Sequence, residues 1–360
     1  MKLEVHPDVR RACTLPAEAY RDASMYARHL ERVLARTWHV IADGVDLPAA
    51  GEALPLTLLP GSLDEPLVLT RDARGALHLL SNVCTHRGNL VVGARCQVQS
   101  MRCRYHGRRF ALDGSFSFMP EFEQAEGFPA ASDDLPRVPM ADWGPIKLAS
   151  LSPAFRFEDQ IEPIRARIGW LLERDHVFDA EASRDYLVNA HYALYCDNYL
   201  EGFHIPFVHG ALAETLDYGA YTTDCFPLGS VQVGIAKPGE PAFDLPPGHP
   251  DAGRRVAAYY VWLFPSTMLN LYPWGLSVNA VRPLSSDRTR VSFLSFVADP
   301  SRRGEGAGGD LHRVELEDEA VVEGVQRGIR SRLYRQGRFS PTREAGVHHF
   351  HRLLAQYLSD

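Results

Sequence analysis

Cys84-Thr85-His86 and, beyond a loop of residues 87–102, Cys103-Arg104-Tyr105-His106 decide how this chain is read. Two cysteines and two histidines recur as C-x-H and C-x-x-H, so each short motif offers one thiolate and one imidazole. A tetrahedral zinc site uses the same donors. Zinc fingers, however, place cysteine with cysteine and histidine with histidine, whereas both motifs here mix them.

The mixed pairing is the ligand set of a Rieske [2Fe-2S] centre, in which two histidines replace two cysteines on one iron. Two neutral imidazoles leave that iron less negatively surrounded, and the potential rises to roughly −150 to +300 mV. Such a centre takes up and releases single electrons. The flanks, Cys84-Thr85-His86-Arg87-Gly88 and Cys103-Arg104-Tyr105-His106-Gly107 with Phe110 and Asp113-Gly114, resemble the two cluster-binding loops of Rieske oxygenases. Arg108 departs from that pattern, standing where the family often has Trp. Cys96 lies within the loop without a matching cysteine and reads as a structural thiol.

At 360 residues the chain is too long for a lone electron carrier and suits about two domains. With 45% hydrophobic and 23% charged residues it has the composition of an ordinary globular protein, which excludes disordered and fibrous classes. The start, Met1-Lys2-Leu3-Glu4-Val5-His6, has no apolar leader-like run, and no stretch of about 18 apolar residues occurs. Beyond Cys84 and Cys103, the cysteines Cys13, Cys96, Cys196 and Cys225 form no disulfide framework. The expectation is a cytoplasmic protein with no membrane partner. A formal charge of −7 argues against nucleic acid as partner.

The hydrophobic pattern implies an α+β fold. Leu15–Thr37 reads as helix, with Met25, Leu30, Val33 and Leu34 at helical spacing. From Trp38 the texture changes to short apolar runs, such as Leu67-Val68-Leu69, punctuated by Asp72-Ala73-Arg74-Gly75, which indicates a small antiparallel β domain. The expected units are an N-terminal helical segment over 1–37, a cluster-binding domain over 38–155 and a catalytic domain over 156–360. Within the last, helix is expected around Tyr195–His209 and from about Leu311 to Gln336.

Asp197-Asn198-Tyr199-Leu200-Glu201-Gly202-Phe203-His204-Ile205-Pro206-Phe207-Val208-His209 is the second informative stretch. His204 and His209 lie slightly more than one helical turn apart, with Pro206 distorting the backbone between them, so both can converge on one ion. Together with the cluster motifs, this resembles the alpha (oxygenase) subunit of Rieske non-haem iron oxygenases. That resemblance extends over nearly the whole chain. It implies a catalytic mononuclear Fe(II) held by two histidines and one carboxylate, a set that leaves open positions for O2. By resemblance the histidines are His204 and His209, and the carboxylate is Asp318 among the acids Glu315 to Glu319. Glu201 matches the family's bridging acid, which would join His204 to His106 of a neighbouring subunit, and Asn198 lies near the iron. His348, His349 and His351 are read as surface or packing residues.

The resemblance further implies a Rieske β domain beside a helix-grip catalytic domain, assembled as a head-to-tail homotrimer. Electrons from NAD(P)H would reach the cluster through a separate reductase or ferredoxin, because this chain carries no flavin, nicotinamide or plant-type ferredoxin motif. Arg87, Arg95, Arg102, Arg104, Arg108 and Arg109 could steer an acidic donor, or form a solvated loop surface. Tyr260, Trp262 and Phe264 alternate on one strand face, followed by Tyr272 and Trp274, and an aromatic wall accepts either an arene or a quaternary ammonium group. The chain looks most like oxygenases acting on choline, betaine or related amines and like aromatic-ring hydroxylating ones. An electron-transfer or metal-sensing protein without turnover is the reading of a different class.

Overall fold

The computed structural model describes residues 3–41 and 47–359. Met1 and Lys2, where the N-terminal reading begins, lie outside them. The segment expected as one helix over Leu15–Thr37 is instead four short pieces: α1 (Glu18–Arg21), α2 (Ala23–Arg28), a π turn (His29–Val33) and a 3-10 turn (Leu34–Arg36). Asp22 causes the first break. It leaves the helical region at ψ 126°, and its carboxylate accepts from the N–H groups of Ser24 and Met25 to cap α2. A cap of this kind contributes about 1 kcal/mol, more than the short helix would gain by continuing through a poor helix former.

Three antiparallel sheets follow. β1 (His39–Val40), β2 (Glu52–Leu58), β3 (Glu65–Arg71), β4 (Leu77–Ser81), β5 (Cys96–Gln97), β6 (Met101–Arg102), β7 (Arg109–Phe110), β8 (Phe116–Phe118), β9 (Met140–Trp143) and β10 (Ile146–Ala149) form them. Their orders are β4-β3-β2-β5, β6-β7-β8 and β1-β10-β9. Val68, Leu80, Phe110 and Leu135 make a small core that includes the sulfurs of Cys84 and Cys103. The cluster motifs are therefore anchored in packed hydrocarbon while their tips face outward.

After α3 (Phe157–Leu172) comes a seven-stranded antiparallel sheet of β11 (Val177–Val188) and, after α4 (Tyr192–Tyr199), α5 (Ile205–Val208) and α6 (Gly210–Thr215), strands β12 (Thr222–Phe226) to β17 (Arg288–Val297). Its order is β11-β17-β16-β15-β14-β13-β12, with β13 at Gly229–Ile235, β14 at Val256–Leu263, β15 at Thr267–Tyr272 and β16 at Gly275–Ser285. Both faces are covered, so β15 is buried throughout and β14 almost throughout. Tyr259 and Val261 join a core with Ile161, Ile164 and Ile168 of α3. On the opposite face, Trp262 meets Phe350 of α8 (Ala345–Leu358) edge to face at 5.2 Å. The α+β expectation agrees with this sheet gripping its helices.

Two further helix boundaries differ from the sequence reading. Helix around Tyr195–His209 is interrupted between α4 and α5, because Leu200 leaves the helix and Pro206, lacking an N–H, is accommodated only in a new first turn. The helix expected to reach Gln336 is α7 (Leu311–Gly328), which stops at Gly328. Asp310 caps its start by accepting from the Arg313 N–H. α7 packs along α4, and this pairing positions the candidate iron site.

Candidate metal centres and substrate cavity

The two cluster loops are built alike. In each, the N–H of the glycine four residues after cysteine donates to the cysteine carbonyl, Gly88 to Cys84 at 2.9 Å and Gly107 to Cys103 at 3.1 Å. The cysteine N–H in turn donates to the carbonyl five residues on, Asn89 in one loop and Arg108 in the other. Both glycines have positive φ, +70° and +77°, a conformation that a side chain would strain. Burial raises the Cys84 thiol pKa, whereas at Cys103 burial is outweighed by backbone N–H groups, Asn89 and the Cys84 thiol, which lower it. Two backbone N–H groups address each sulfur, those of His86 and Arg87 at Cys84 and those of Tyr105 and His106 at Cys103. The His86 and His106 rings stand 4.7 Å apart, centroid to centroid. Paired sulfurs in a dry floor, N–H groups aimed at them and two adjacent imidazoles fit a [2Fe-2S] cluster.

Arg108 is not part of the surface charge. It is 2% exposed, its guanidinium lies 5.0–5.7 Å from the rings of Phe110, Phe116 and Phe128, and it meets the Asp133 carboxylate at 2.5 Å. The planar cation thus fills an aromatic cage. Asp133 also accepts the Thr85 hydroxyl on its carbonyl at 2.8 Å, so one residue ties both cluster loops. The arginine group is corrected accordingly: Arg87, Arg102, Arg104 and Arg109 are exposed, Arg95 pairs with Glu52, and Arg108 is withdrawn. Cys96 lies in β5 as a free thiol.

In the second domain, His204, His209 and Asp318 offer ligand atoms that all lie within 4.8 Å of one another. The Asp318 carboxylate is 3.0 Å from His209 Nε2 and 3.6 Å from His204 Nε2. The other ring nitrogens are held by acids, His204 Nδ1 by Glu201 at 2.7 Å and His209 Nδ1 by Glu317 at 2.8 Å. Arg313 holds Glu317 in turn, and Asn198 donates to Asp318 at 2.6 Å. Burial alone would lower the His209 pKa, but hydrogen bonds and charge from Asp318 and Glu317 outweigh it and raise the value. Two imidazoles with Nε2 turned inward, Nδ1 anchored to carboxylates and one carboxylate between them form the donor set that suits Fe(II). Glu317 went unnoticed in the sequence as a partner of His209. Its only local signal is adjacency to Asp318.

A cavity adjoins this cluster. Tyr195, Tyr199, Tyr221, Tyr260 and Tyr272 contribute to its lining, as does Glu315. The expected aromatic strip is divided: Tyr260 and Tyr272 reach the cavity, whereas Trp262 and Phe264 are buried against α8 and Trp274 lies in a neighbouring groove. Strand alternation correctly put Tyr260 and Trp262 on one face; α8 covers that face over Trp262 only. Glu315 is 2% exposed and accepts from the Tyr195 hydroxyl at 2.6 Å. Burial, reinforced by the charges of Asp318 and Glu319 and opposed by Tyr195, pushes its carboxyl well above the usual range. Among the tail histidines, His351 bonds Asp197 and the Leu15 N–H, His348 the carbonyl of His6 and His349 that of Phe226. All three pack the terminus.

Fold and donor sets define a two-domain redox protein with an iron–sulfur domain and a mononuclear iron domain. Residues 37–131 match the Rieske [2Fe-2S] domain, and residues 178–360 match the catalytic domain of the ring hydroxylating alpha subunit. The chain belongs to the ring hydroxylating alpha subunits of Rieske oxygenases. It is 29% identical to choline monooxygenase of Arabidopsis thaliana, over 96% of this chain and 83% of that one. It is 27% identical to the carnitine monooxygenase oxygenase subunit of Escherichia coli strain K12, over 98% and 95%. The fold is shared with the quaternary ammonium Rieske monooxygenase bound to L-carnitine (TM-score 0.74, 22% identity, 98% and 97% covered). It is also shared with naphthalene 1,2-dioxygenase from Rhodococcus sp. (TM-score 0.70, 18% identity, 96% and 93% covered). The chain is thus an oxygenase with a [2Fe-2S] cluster and a mononuclear iron, the oxygenase component of a system that needs a reductase, rather than a carrier or sensor without turnover. Among the described residues, no helix is long and apolar enough to cross a membrane.

Proposed function

We propose that Cys84, His86, Cys103 and His106 hold the cluster, that His204, His209 and Asp318 hold Fe(II), and that the protein oxygenates a small organic substrate, a quaternary amine before an arene. The observation that carries this reading is the convergence of His204, His209 and Asp318 beside a tyrosine-rich cavity. When bound, the cluster supplies single electrons and the iron activates O2. The amine preference rests on the similarity to choline and carnitine monooxygenases.

Each surrounding side chain has a definite task. Glu201 Oε1 faces His204 Nδ1, which turns Nε2 toward Asp318; its other oxygen accepts from the N–H groups of Phe203 and His204. Glu317 does the same for His209. Asn198 orients Asp318, leaving one carboxylate oxygen outside that bond. Tyr199 and Gln232 close the cavity through bonds to Asn270 and the Tyr199 carbonyl. Fixing tautomers and ring planes in this way raises ligand basicity and keeps the open side of the site toward substrate.

Glu201 and His204 line both the inner cavity and an outer groove that includes Tyr20, Val325 and Tyr334. A carboxylate in that wall supports transfer from His106 of a neighbouring subunit in a homotrimer. Electrons would come from an NAD(P)H-dependent reductase or ferredoxin in a cytoplasmic setting, with the chain divided as 1–37, 38–155 and 156–360. The test is metal analysis with O2 uptake. The wild type is expected to carry the cluster's visible and EPR signals plus one further iron per chain, and His204→Ala to lose that iron alone. Equal iron in both proteins would refute the assignment.

A further inference from the structure

Four strands of the seven-stranded sheet put a polar row beneath the cavity. Gln232 of β13 lies opposite Tyr260 of β14, Tyr260 opposite Asn270 of β15, and Asn270 opposite Ser277 of β16, two residues before Asn279. Paired positions, and positions two apart on one strand, share a face. Gln232, Tyr260, Asn270 and Asn279 all line the cavity beside His204 and His209. One residue along each strand the opposite face is hydrocarbon core, with Val231, Tyr259, Leu269 and Val278. The polar row is thus not what packing alone requires of a buried sheet.

Hydrogen bonds give the row a direction. The Ser277 carbonyl can only accept, so the Asn270 NH2 faces it at 3.3 Å and reaches Asn279 Oδ1 at 3.0 Å, while Asn270 Oδ1 takes the Tyr199 hydroxyl at 2.9 Å. Asn279 Oδ1 also receives the Ser277 hydroxyl at 3.4 Å. The Asn279 oxygen is therefore committed, and its NH2 is left with no acceptor among the described residues. Tyr260 is in the same position. Burial raises its pKa, opposed by Tyr272, which stands edge to face at 6.1 Å and acts on it as a hydroxyl donor. The Tyr260 hydroxyl is itself buried and bonds to no acceptor, so its own proton is unspent.

We propose that the substrate carries a hydrogen-bond-accepting oxygen on the end turned to the sheet, received by the Asn279 NH2 and the Tyr260 hydroxyl, which makes these two specificity-determining residues. A buried donor without an acceptor is costly, and a ligand that brings the acceptor removes that cost. A ligand offering only hydrocarbon leaves it standing. This rests on the reading of the cavity as the substrate site and deepens it, since an amine or arene without such an oxygen becomes a poor ligand. Carboxylate, carbonyl and hydroxyl oxygens all accept from a neutral donor, and the probes below separate them.

Calorimetric titration of the holoenzyme tests this with matched ligands: choline and glycine betaine against ethyltrimethylammonium, which lacks the oxygen, and acetophenone against ethylbenzene. The better of choline and glycine betaine is expected to bind about tenfold or more tighter than ethyltrimethylammonium, and which of the two it is assigns the oxygen as hydroxyl or carboxylate. Asn279→Asp keeps the acceptor that Asn270 uses but removes the free NH2, and Tyr260→Phe removes the hydroxyl. Each is expected to shrink that ratio severalfold while ethyltrimethylammonium still binds. Equal binding of the matched ligands to the wild type, or a ratio unchanged in both variants, would overturn the proposal. The variants are independent, and the wild-type ranking is read without either. Failure of the amine reading looks different: no onium ligand binds, yet acetophenone still binds about tenfold tighter than ethylbenzene. Binding by none of the five would overturn the cavity as a substrate site and this proposal with it.

Discussion

Glu201 Oε1 lies 2.7 Å from Nδ1 of His204, and this pair forms the wall shared by the inner cavity and the outer groove. One carboxylate therefore orients a candidate iron ligand through the ring nitrogen opposite the one turned toward Asp318. Glu201→Gln keeps the shape but removes the charge. Both metals are expected to stay, while product formed per NAD(P)H falls roughly 10–100-fold. Full coupling in the variant would exclude Glu201 as a link between the centres.

Glu317 anchors His209 as Glu201 anchors His204, with Arg313 behind it. Glu317→Ala frees the His209 ring to rotate. Iron affinity should drop on the order of 10–100-fold, with the cluster's EPR signal unaltered. Metal content after dialysis against a weak chelator reads this directly, and unchanged retention would contradict it.

Arg108→Met empties the aromatic cage of its cation and leaves Asp133 without that partner. Losing this pair destabilises the hub between the two cluster loops, because Asp133 keeps only its bond from the Ala130 N–H. The cluster's visible absorbance should bleach at lower temperature than in the wild type. Iron at the second site should survive the same treatment, which separates a local effect from global unfolding.

Burial lowers the His39 pKa from 6.5 to about 4, only partly opposed by its bond to the Leu34 carbonyl. The folded state keeps this imidazole neutral, while the unfolded chain protonates it below pH 6.5. Its contribution to stability is thus complete above that pH and is lost as pH falls toward the folded-state value. His39→Gln should be less stable than wild type at pH 7.5 and should close the gap by about 1.4 kcal/mol per pH unit below pH 6.5. A gap independent of pH in denaturant titrations would contradict the buried neutral state.

Arg87, Arg102, Arg104 and Arg109 remain exposed around the cluster loops of a chain with formal charge −7. If they steer an acidic electron donor, the rate of cluster reduction should fall as ionic strength rises, and reversing two of these charges should mimic high salt. Rates insensitive to salt would leave the arginines as solvated surface.

The motifs proposed for the cluster are local in their geometry. Cysteine, histidine and glycine sit within five residues of each other in each loop, and the glycine N–H returning to the cysteine carbonyl needs no distant partner. Glu201 and His204 form a similarly local pair, three residues apart. The continuous helices drawn through Asp22, Pro206 and Gly328 were less accurate, since single capping and breaking residues outweighed the apolar periodicity around them.

By itself the sequence determined the redox class, the α+β composition and the residue types that suit two metal centres, because short motifs carry that information within one or two turns of chain. Tertiary structure decided which acid meets the histidines. Asp318 reaches His209 across 109 residues through the pairing of α7 with α4, and Glu317 arrives on the same helix. It also decided that Arg108 is caged rather than displayed, that Tyr260 opens onto the cavity while Trp262 is sealed by α8, and that Glu315 keeps one oxygen unmatched. Burial and hydrogen-bond satisfaction are properties of the packed chain, so no local pattern could have supplied them.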